Sequence, residues 1–286
     1  MKANKISVVI PAKNESLSIA NTIEQIYAEN IPGLLEVIVV NDGSNDDTKV
    51  VAKNAGATVI SHPYSKGNGA AIKTGARQAK GDIIIFLDGD GQHKPEDIPS
   101  LLKKLNDGYD MVVGARQKGS QASIGRSLAN KFYNGLASYM TGHKVEDLTS
   151  GFRAVNANKF REFLYLYPNG FSYPTTSTMA FFRAGYSVSY HPINANQREG
   201  ESHISPIKDG IRFLLIIFKI GTLYSPLKMF LPISGSVFLT GCCYYLYTFI
   251  TMGRFTNMSA LMFTTALTIF MVGLVSEQIT NLMYKD

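Results

Sequence analysis

Short apolar runs alternate with helix-forming segments through the first two thirds of the chain. Ile6-Ser7-Val8-Val9-Ile10 reads as a buried strand and Glu15–Tyr27 as a helix. Val37–Val40 predicts a second strand, ending in the turn-forming Asn41-Asp42-Gly43-Ser44-Asn45. Asp46 or Asp47 can cap a helix running to Asn54, and Thr58–Ile60 predicts a short third strand. Ala70–Ala79 reads as a helix, Asp82–Leu87 as the strongest strand, Tyr109–Val113 as another strand and Ser123–Met140 as a helix. Continuously apolar strands separated by helices predict an α/β fold with a mostly parallel sheet covered on both faces. Ligands of such sheets bind beyond the carboxyl ends of the strands, which is where the polar sequences of this chain fall.

Past residue 200 the pattern changes. A boundary is expected near Pro206, closing a first domain at 1–206. Residues 207–227 form a juxtamembrane segment with an amphipathic helix over Ile207–Leu223. Lys208, Arg212 and Lys219 fall within about 40° of one another at 100° per residue, which suits a helix lying on a membrane. Packing on the first domain would suit the same pattern. Residues 228–286 then read as a transmembrane hairpin. Met229–Gly253 is 25 residues without a charge, and Phe255–Ser276 is another 22. Each exceeds the roughly 20 residues needed to cross a bilayer, with spans expected at 229–251 and 258–280.

Composition narrows the function classes. The 286 residues suit one large domain plus an appendage. The two apolar runs exclude a wholly soluble protein, and their short total excludes a many-spanning transporter. The net charge of +6 fits an anionic membrane surface better than nucleic acid, because the basic residues form no long cluster. Lys208, Arg212, Lys219, Lys228 and Lys285 flank one side of the hairpin and only Arg254 lies in its turn. The positive-inside rule therefore places the large domain and the C-terminus in the cytoplasm, on a cytoplasmic (inner) membrane. Two adjacent cysteines, Cys242 and Cys243, exclude a disulfide-stapled domain. The apolar stretch Ile6–Ile10 stops at Pro11, too short for a secretory signal.

Candidate chemistry follows the strands. Asp88-Gly89-Asp90-Gly91-Gln92 places two carboxylates two residues apart past a buried strand, with Gln92 as a neutral oxygen. That spacing suits Mg²⁺ or Mn²⁺ with positions left for substrate phosphates, and equally a solvated acidic turn. Lys94-Pro95-Glu96-Asp97 reads as the start of a helix. Asp42 can accept hydrogen bonds from a base or ribose, or form an Asx-turn and cap. Pro11-Ala12-Lys13-Asn14-Glu15 sits at the same sheet edge, and Lys66-Gly67-Asn68-Gly69 precedes a helix whose amides could face an anion. Of the five histidines only His93, just after the paired carboxylates, is placed to approach them.

Taken in order, Pro11–Glu15, Asn41–Ser44, Lys66–Gly69 with Gly81-Asp82, Asp88–Gln92 and Asp147-Leu148-Thr149-Ser150-Gly151-Phe152-Arg153 resemble the family-two glycosyltransferases of the GT-A fold. More narrowly, the chain resembles polyprenyl-phosphate glycosyltransferases of the dolichol-phosphate mannose synthase type, in the bacterial branch with two C-terminal membrane helices. The resemblance implies a metal-dependent enzyme. Pro11, Ala12, Asn14, Glu15, Asp42, Lys66, Gly67 and Asp88 would hold a nucleotide sugar, and Asp88, Asp90 and Gln92 the metal. Arg116 and Arg126 would grip the acceptor phosphate, and Asp147 would be the catalytic aspartate. Arg198 and Ser202 would close on the phosphates. His203 stands where the family usually has lysine, so that residue is left without a role. Arg126 as a surface helix residue, and Asp147 as a cap or salt-bridge partner, are the competing structural readings.

The resemblance further implies a homotetramer and transfer of one sugar to a polyprenyl phosphate with inversion, a UDP-hexose favoured as donor over GDP-mannose. A lipid hydroxyl or glycan acceptor, which needs a true base, is the first alternative. A non-catalytic, membrane-anchored sugar-nucleotide binder is the second.

Overall fold

A computed structural model of the chain describes residues 4–117, 124–170, 172–194 and 221–283, the side chains of 124–130 excepted. The chain divides into two compact units, Met1–His203 and Ile204–Asp286. In the first, β1 (Ile6–Ala12) is buried along its whole length, and both faces have a reason to be. Ile6, Val8, Ile10 and Ala12 share one apolar cluster with Ile19, Ile23 and Ile26 of α1 (Ile19–Ala28). On the other face Val9 lies against Gly75 of α3 (Asn68–Gln78), so closely that a Cβ there would meet it at 2.2 Å. The remaining elements are β2 (Leu34–Asn41), α2 (Thr48–Asn54), β3 (Thr58–Ser61), β4 (Ile83–Phe86), α4 (Ile98–Asn106), β5 (Met111–Arg116), α5 (Ile124–Thr141), β6 (Arg153–Asn156), α6 (Ala157–Glu162), α7 (Tyr173–Arg183) and β7 (Val188–Ile193).

Seven strands form one sheet in the order β3-β2-β1-β4-β6-β5-β7. β1, β2, β3 and β4 run parallel, as does β5 with β7, while β6 is antiparallel to both β4 and β5. The reversal at β6 decides which loops meet. Arg153, its first residue, pairs with Phe86 at the end of β4 and with Val113 of β5. The carboxyl ends of β1, β2, β4 and β5 and the amino end of β6 therefore share one edge of the sheet.

One helix starts later than its apolar pattern predicts. Asn14 takes a left-handed φ of 56°, and residues Glu15 to Ser18 form a turn whose first amides, those of Glu15 and Ser16, are capped by Thr48 Oγ1 and Asp46 Oδ2. α1 consequently begins at Ile19, not Glu15.

The second unit, as described, contains α8 (Pro226–Met252) and α9 (Asn257–Met283), each 27 residues long and apolar enough to cross a membrane. At 1.5 Å per residue each is about 40 Å long, more than the hydrocarbon core requires. The expected amphipathic helix over Ile207–Leu223 lies almost entirely outside the described residues. The hairpin seam repeats every seven residues: Ser234, Gly241 and Thr248 on α8, and Ser259, Ala266, Gly273 and Thr280 on α9, are its buried positions. Small residues there let the backbones approach, as association in lipid requires. Ser234 Oγ donates to Ala266 O at 2.8 Å and Thr280 Oγ1 to Thr222 O at 2.8 Å. Glu277 Oε2 accepts the Leu227 amide at 3.1 Å and so caps the start of α8 from the other helix. Leu231, Phe238, Leu246, Leu267 and Val275 point outward and are exposed.

A Cβ on Gly273 would stand 2.6 Å from Phe230 Cβ. Gly273→Leu is expected to force the helices apart at a cost of about 1–3 kcal/mol, lowering the thermal midpoint of the detergent-solubilised protein followed by circular dichroism. Leu267→Ala, on the outward face, should leave the midpoint within error; equal midpoints for both variants would remove the seam.

Candidate active site

The shared sheet edge carries three aspartates, and their hydrogen-bond partners differ. Asp42, just past β2, is 3% exposed. Oδ1 accepts from the Lys66 amide at 2.8 Å and contacts His62 Nδ1 at 2.7 Å. Oδ2 accepts from Ser65 Oγ and the Gly67 amide, both at 2.8 Å. Burial pushes its pKa up, but these four partners together hold it below the usual carboxylate range. His62 is itself fixed by Thr74 Oγ1 at 2.9 Å. Asp42 thus ties the segment 62–67 to the end of β2, which places it more as an anchor of the site wall than as a free acceptor.

The same bonds decide the fate of the α3 amides. Lys66 and Gly67 give theirs to Asp42, and Gly69 and Ala70 give theirs to the carbonyls of Gly170 and Asn169. The expectation that these amides would face an anion is corrected accordingly, because they are consumed within the protein. Lys66 instead lies over the Tyr64 ring, 5.7 Å from its centroid.

Asp147, 5% exposed, is the most heavily bonded of the three. Oδ2 accepts from Arg116 Nε at 2.8 Å and from the Arg116 amide at 3.2 Å. Oδ1 accepts from Arg116 Nη2 at 3.0 Å, the amides of Thr149 and Ser150 at 3.1 Å each, and Thr149 Oγ1 at 3.2 Å. Burial raises its pKa, and the bonds and charge of Arg116 with the neighbouring amides more than reverse that, leaving it lowered. The residue expected to grip a phosphate and the residue expected to be catalytic are therefore one bidentate ion pair. Among the described residues, Arg116 bonds through its amide, Nε and Nη2, and its Nη1 has no partner.

Asp88 is different. Its one polar contact among the described residues is His93 Nε2, 3.5 Å from Oδ2, longer than a good hydrogen bond. Burial pushes its pKa up, while His93 and the charges of Arg116 and Arg153 bring it below the usual range. It is ionised yet short of donors. Gly151 lets the Asp147–Arg153 segment pass against it, since a Cβ there would lie 2.7 Å from Asp88 Oδ2. His93, buried against the Phe152 ring, approaches the site as its position in sequence suggested.

A cleft of about 470 Å³ opens at this edge, lined by Pro11, Ala12, Lys13, Glu15, Asp42, Ser65, Gly67, Asn68, Ala71, Asp88, Gly89 and Asp90. Of the residues expected to hold the donor, Asn14 and Lys66 are not in its lining. Asn14 instead joins the two strand-end loops, its amide donating to Ser44 Oγ at 3.0 Å and its Oδ1 accepting from Asn45 N at 2.9 Å. Gln92 is also absent from the lining, and its amide donates to Asp90 Oδ1 at 3.1 Å. Arg126 stands in the first turn of α5 with its side chain outside the described residues; Arg198 and Ser202 lie wholly outside them.

No group of three His, Cys, Asp or Glu side chains gathers to hold a metal among the described residues. The donor set present, two aspartates on one turn facing a cleft, suits a hard cation completed by phosphate oxygens rather than an all-protein cage. Asp88 and Asp90 fit that requirement.

Sequence reading missed one residue that the site depends on. Arg153 is fully buried, and its guanidinium donates to Pro174 O at 3.0 Å, Ser177 Oγ at 2.6 Å, Thr178 Oγ1 at 3.3 Å and Ser150 O. Its Nε has no partner among the described residues. No described carboxylate touches it, so its charge bears on Asp88 and Asp147 from behind while it clamps their loop to α7. An arginine opening an otherwise apolar strand, Arg-Ala-Val, was the available signal.

Comparison with known proteins agrees with this geometry. Residues 7–164 match Glycosyl transferase family 2, and residues 225–282 match the GtrB C-terminal hairpin. The glycosyltransferase AglJ of Haloferax volcanii is 27% identical over 249 residues, 85% of this chain and 80% of that one. The undecaprenyl-phosphate 4-deoxy-4-formamido-L-arabinose transferase of Proteus mirabilis is 36% identical over 163 residues, 54% of this chain, which spans only about half (49%) of that relative. Among solved structures, glucosyl-3-phosphoglycerate synthase of Mycobacterium tuberculosis, in complex with Mn²⁺, UDP-glucose and phosphoglyceric acid, superposes with a TM-score of 0.62 at 23% identity, over 77% of this chain and 79% of that one, a likeness of fold. With more than half its length matched, the chain belongs to glycosyltransferase family 2, as a GT-A enzyme related to undecaprenyl-phosphate sugar transferases.

Proposed function

We propose that the enzyme transfers one sugar from a nucleoside-diphosphate donor, a UDP-hexose ahead of GDP-mannose, to a polyprenyl phosphate with inversion. The observation that carries this reading is the Arg116–Asp147 pair. An acceptor hydroxyl needs a base, and Asp147 is a poor one: ionised, buried and already accepting from Arg116, Thr149 and Ser150. A phosphate monoester, with a second pKa near 6, arrives largely ionised and needs no base. What it needs is a cation to align it against the charge of the donor, and Arg116 offers its remaining Nη1 as a charged donor, its Nε–Nη2 edge being taken by Asp147. Asp147 then acts by aiming that guanidinium.

In the transfer, a phosphate oxygen of the lipid bonds to the anomeric carbon while the bond from that carbon to the nucleoside diphosphate breaks, the electron pair leaving with the diphosphate. No proton moves when the acceptor is a dianion. Pro11, Ala12, Glu15 and Gly67 border the nucleotide, and Asp42 keeps the 62–67 wall in place. Asp88 and Asp90 hold a divalent cation, Mg²⁺ or Mn²⁺, which supplies positive charge to the leaving diphosphate when bound. Arg126, Arg198 and Ser202 join Arg116 at the acceptor side. α8 and α9 cross the membrane with the catalytic unit and the C-terminus on the cytoplasmic side, where such donors are found.

With undecaprenyl phosphate and radiolabelled UDP- and GDP-sugars, an organic-extractable, acid-labile product is expected from one donor and none after EDTA. Asp90→Asn should abolish that turnover while membrane insertion is retained; near-normal turnover would remove the cation from the reaction. If one nucleotide sugar binds yet no lipid product forms, the phosphate acceptor is wrong and the hydroxyl or glycan acceptor replaces it.

The pH profile separates the two roles of Asp147. Its folded pKa lies below the unfolded value of about 3.9, so its contribution to stability is complete above that value and fades as the pH falls through the folded one. Nothing in Asp147 therefore titrates near neutrality. The logarithm of kcat/KM should rise with unit slope to about pH 6, the second pKa of the acceptor, and then stay flat. A limb that disappears in Asp147→Asn would make Asp147 a base.

A further inference from the structure

A second, smaller pocket of about 80 Å³ opens beside the 470 Å³ cleft, and Asn68 and Asp88 line both. Its size admits a substituent rather than a nucleotide. Thr149, Ser172, Tyr173 and Thr175 supply other walls. Ser172 carries the unusual feature. Its φ is 84°, the left-handed region that a serine rarely adopts, and it stands at the N-cap of α7 without making a side-chain cap. Serine at that position normally accepts from an amide of the first helical turn. Its carbonyl accepts the first bond of α7, from the Thr176 amide, and a second from Thr176 Oγ1, both at 3.2 Å. The backbone is pinned in an unfavourable conformation while the hydroxyl is left to the pocket. Strain of this kind persists where the surrounding structure fixes it, often at ligand sites.

The lining chemistry is selective. Thr149 Oγ1 is bonded to Arg116 and Asp147, the Tyr173 hydroxyl to Gly151 O and Thr175 Oγ1 to Leu148 O, so among the described lining residues Ser172 and Asn68 are the neutral polar side chains without a partner. We infer that this pocket receives one hydroxyl or hydroxymethyl group of the transferred sugar, with Ser172 as a specificity-determining residue. The inference rests on the nucleotide-sugar reading above and adds to it a residue that reads the sugar.

The test is calorimetric titration of the full chain in detergent with Mn²⁺ and, in turn, UDP, UDP-glucose and its monodeoxy derivatives, with GDP and GDP-mannose in parallel. Ser172→Gly removes the hydroxyl and relieves the φ of 84°. Ser172→Ala removes the hydroxyl alone. Both variants should bind the bare nucleoside diphosphate as the unsubstituted chain does and the sugar donor about five- to tenfold more weakly, the loss of one hydrogen bond. One monodeoxy donor should bind both variants and the unsubstituted chain alike, since its missing hydroxyl and the missing Ser172 hydroxyl remove the same bond. The thermal midpoint of Ser172→Gly should not fall. Unchanged sugar affinity, or equal weakening of nucleotide and donor, would overturn the pocket while leaving the donor reading intact. Failure of the unsubstituted chain to bind either nucleoside diphosphate would overturn the donor reading, and the pocket with it.

Discussion

Asp42 and Asp147 are buried at the edge of the sheet, which is costly unless each finds donors, whereas Asp88 keeps 32% of its side chain exposed, and the site of this enzyme follows from that difference. Asp42 has four partners and Asp147 has Arg116 together with the amides of its own loop. Asp88 has one among the described residues, a histidine nitrogen 3.5 Å away. The first two are structural anchors in consequence, each fixing a loop. The third is the ionised group with coordination left to offer, and it faces the cleft. In the proposed reading, a cation arriving with a diphosphate would complete the coordination that Asp88 leaves open.

The fold makes this inequality possible through one reversal. Because β6 runs antiparallel between β4 and β5, the Asp147–Arg153 segment enters the sheet at the edge where β4 delivers Asp88 and β5 delivers Arg116. Arg153 sits at the join, fully buried, binding the loop to α7 by its donors and biasing both aspartates toward the ionised state by its charge. The hairpin solves a separate problem. Without a hydrophobic drive between helices in lipid, its heptad of Ser, Gly, Ala and Thr provides contact by close approach instead.

Much of this was legible in sequence. The apolar runs that became β1, β2 and β4 reflect a sheet covered on both faces, and the charge-free runs that became α8 and α9 are long and apolar enough to cross a membrane. β6 was not legible: four residues, Arg-Ala-Val-Asn, begin with a charge that is buried only because acceptors distant in the chain surround it. The start of α1 was misplaced because the left-handed Asn14 and the turn at Glu15–Ser18 dock on Thr48 and Asp46, some thirty positions away. The motif residues were found, but not their partners. Arg116 and Asp147 are 31 positions apart, and nothing local in either segment says that one will orient the other. The Lys66, Gly67 and Gly69 amides looked free for the same reason, since their acceptors, Asp42 and Gly170, are distant in the chain.

Electron paramagnetic resonance titration of Mn²⁺ with UDP present, on the unsubstituted chain, Asp88→Asn and Asp147→Asn, asks whether the cation goes to the carboxylate with coordination left to offer. Asp88→Asn is expected to lose protein-bound Mn²⁺ while Asp147→Asn retains it. Loss in Asp147→Asn with retention in Asp88→Asn would contradict that assignment.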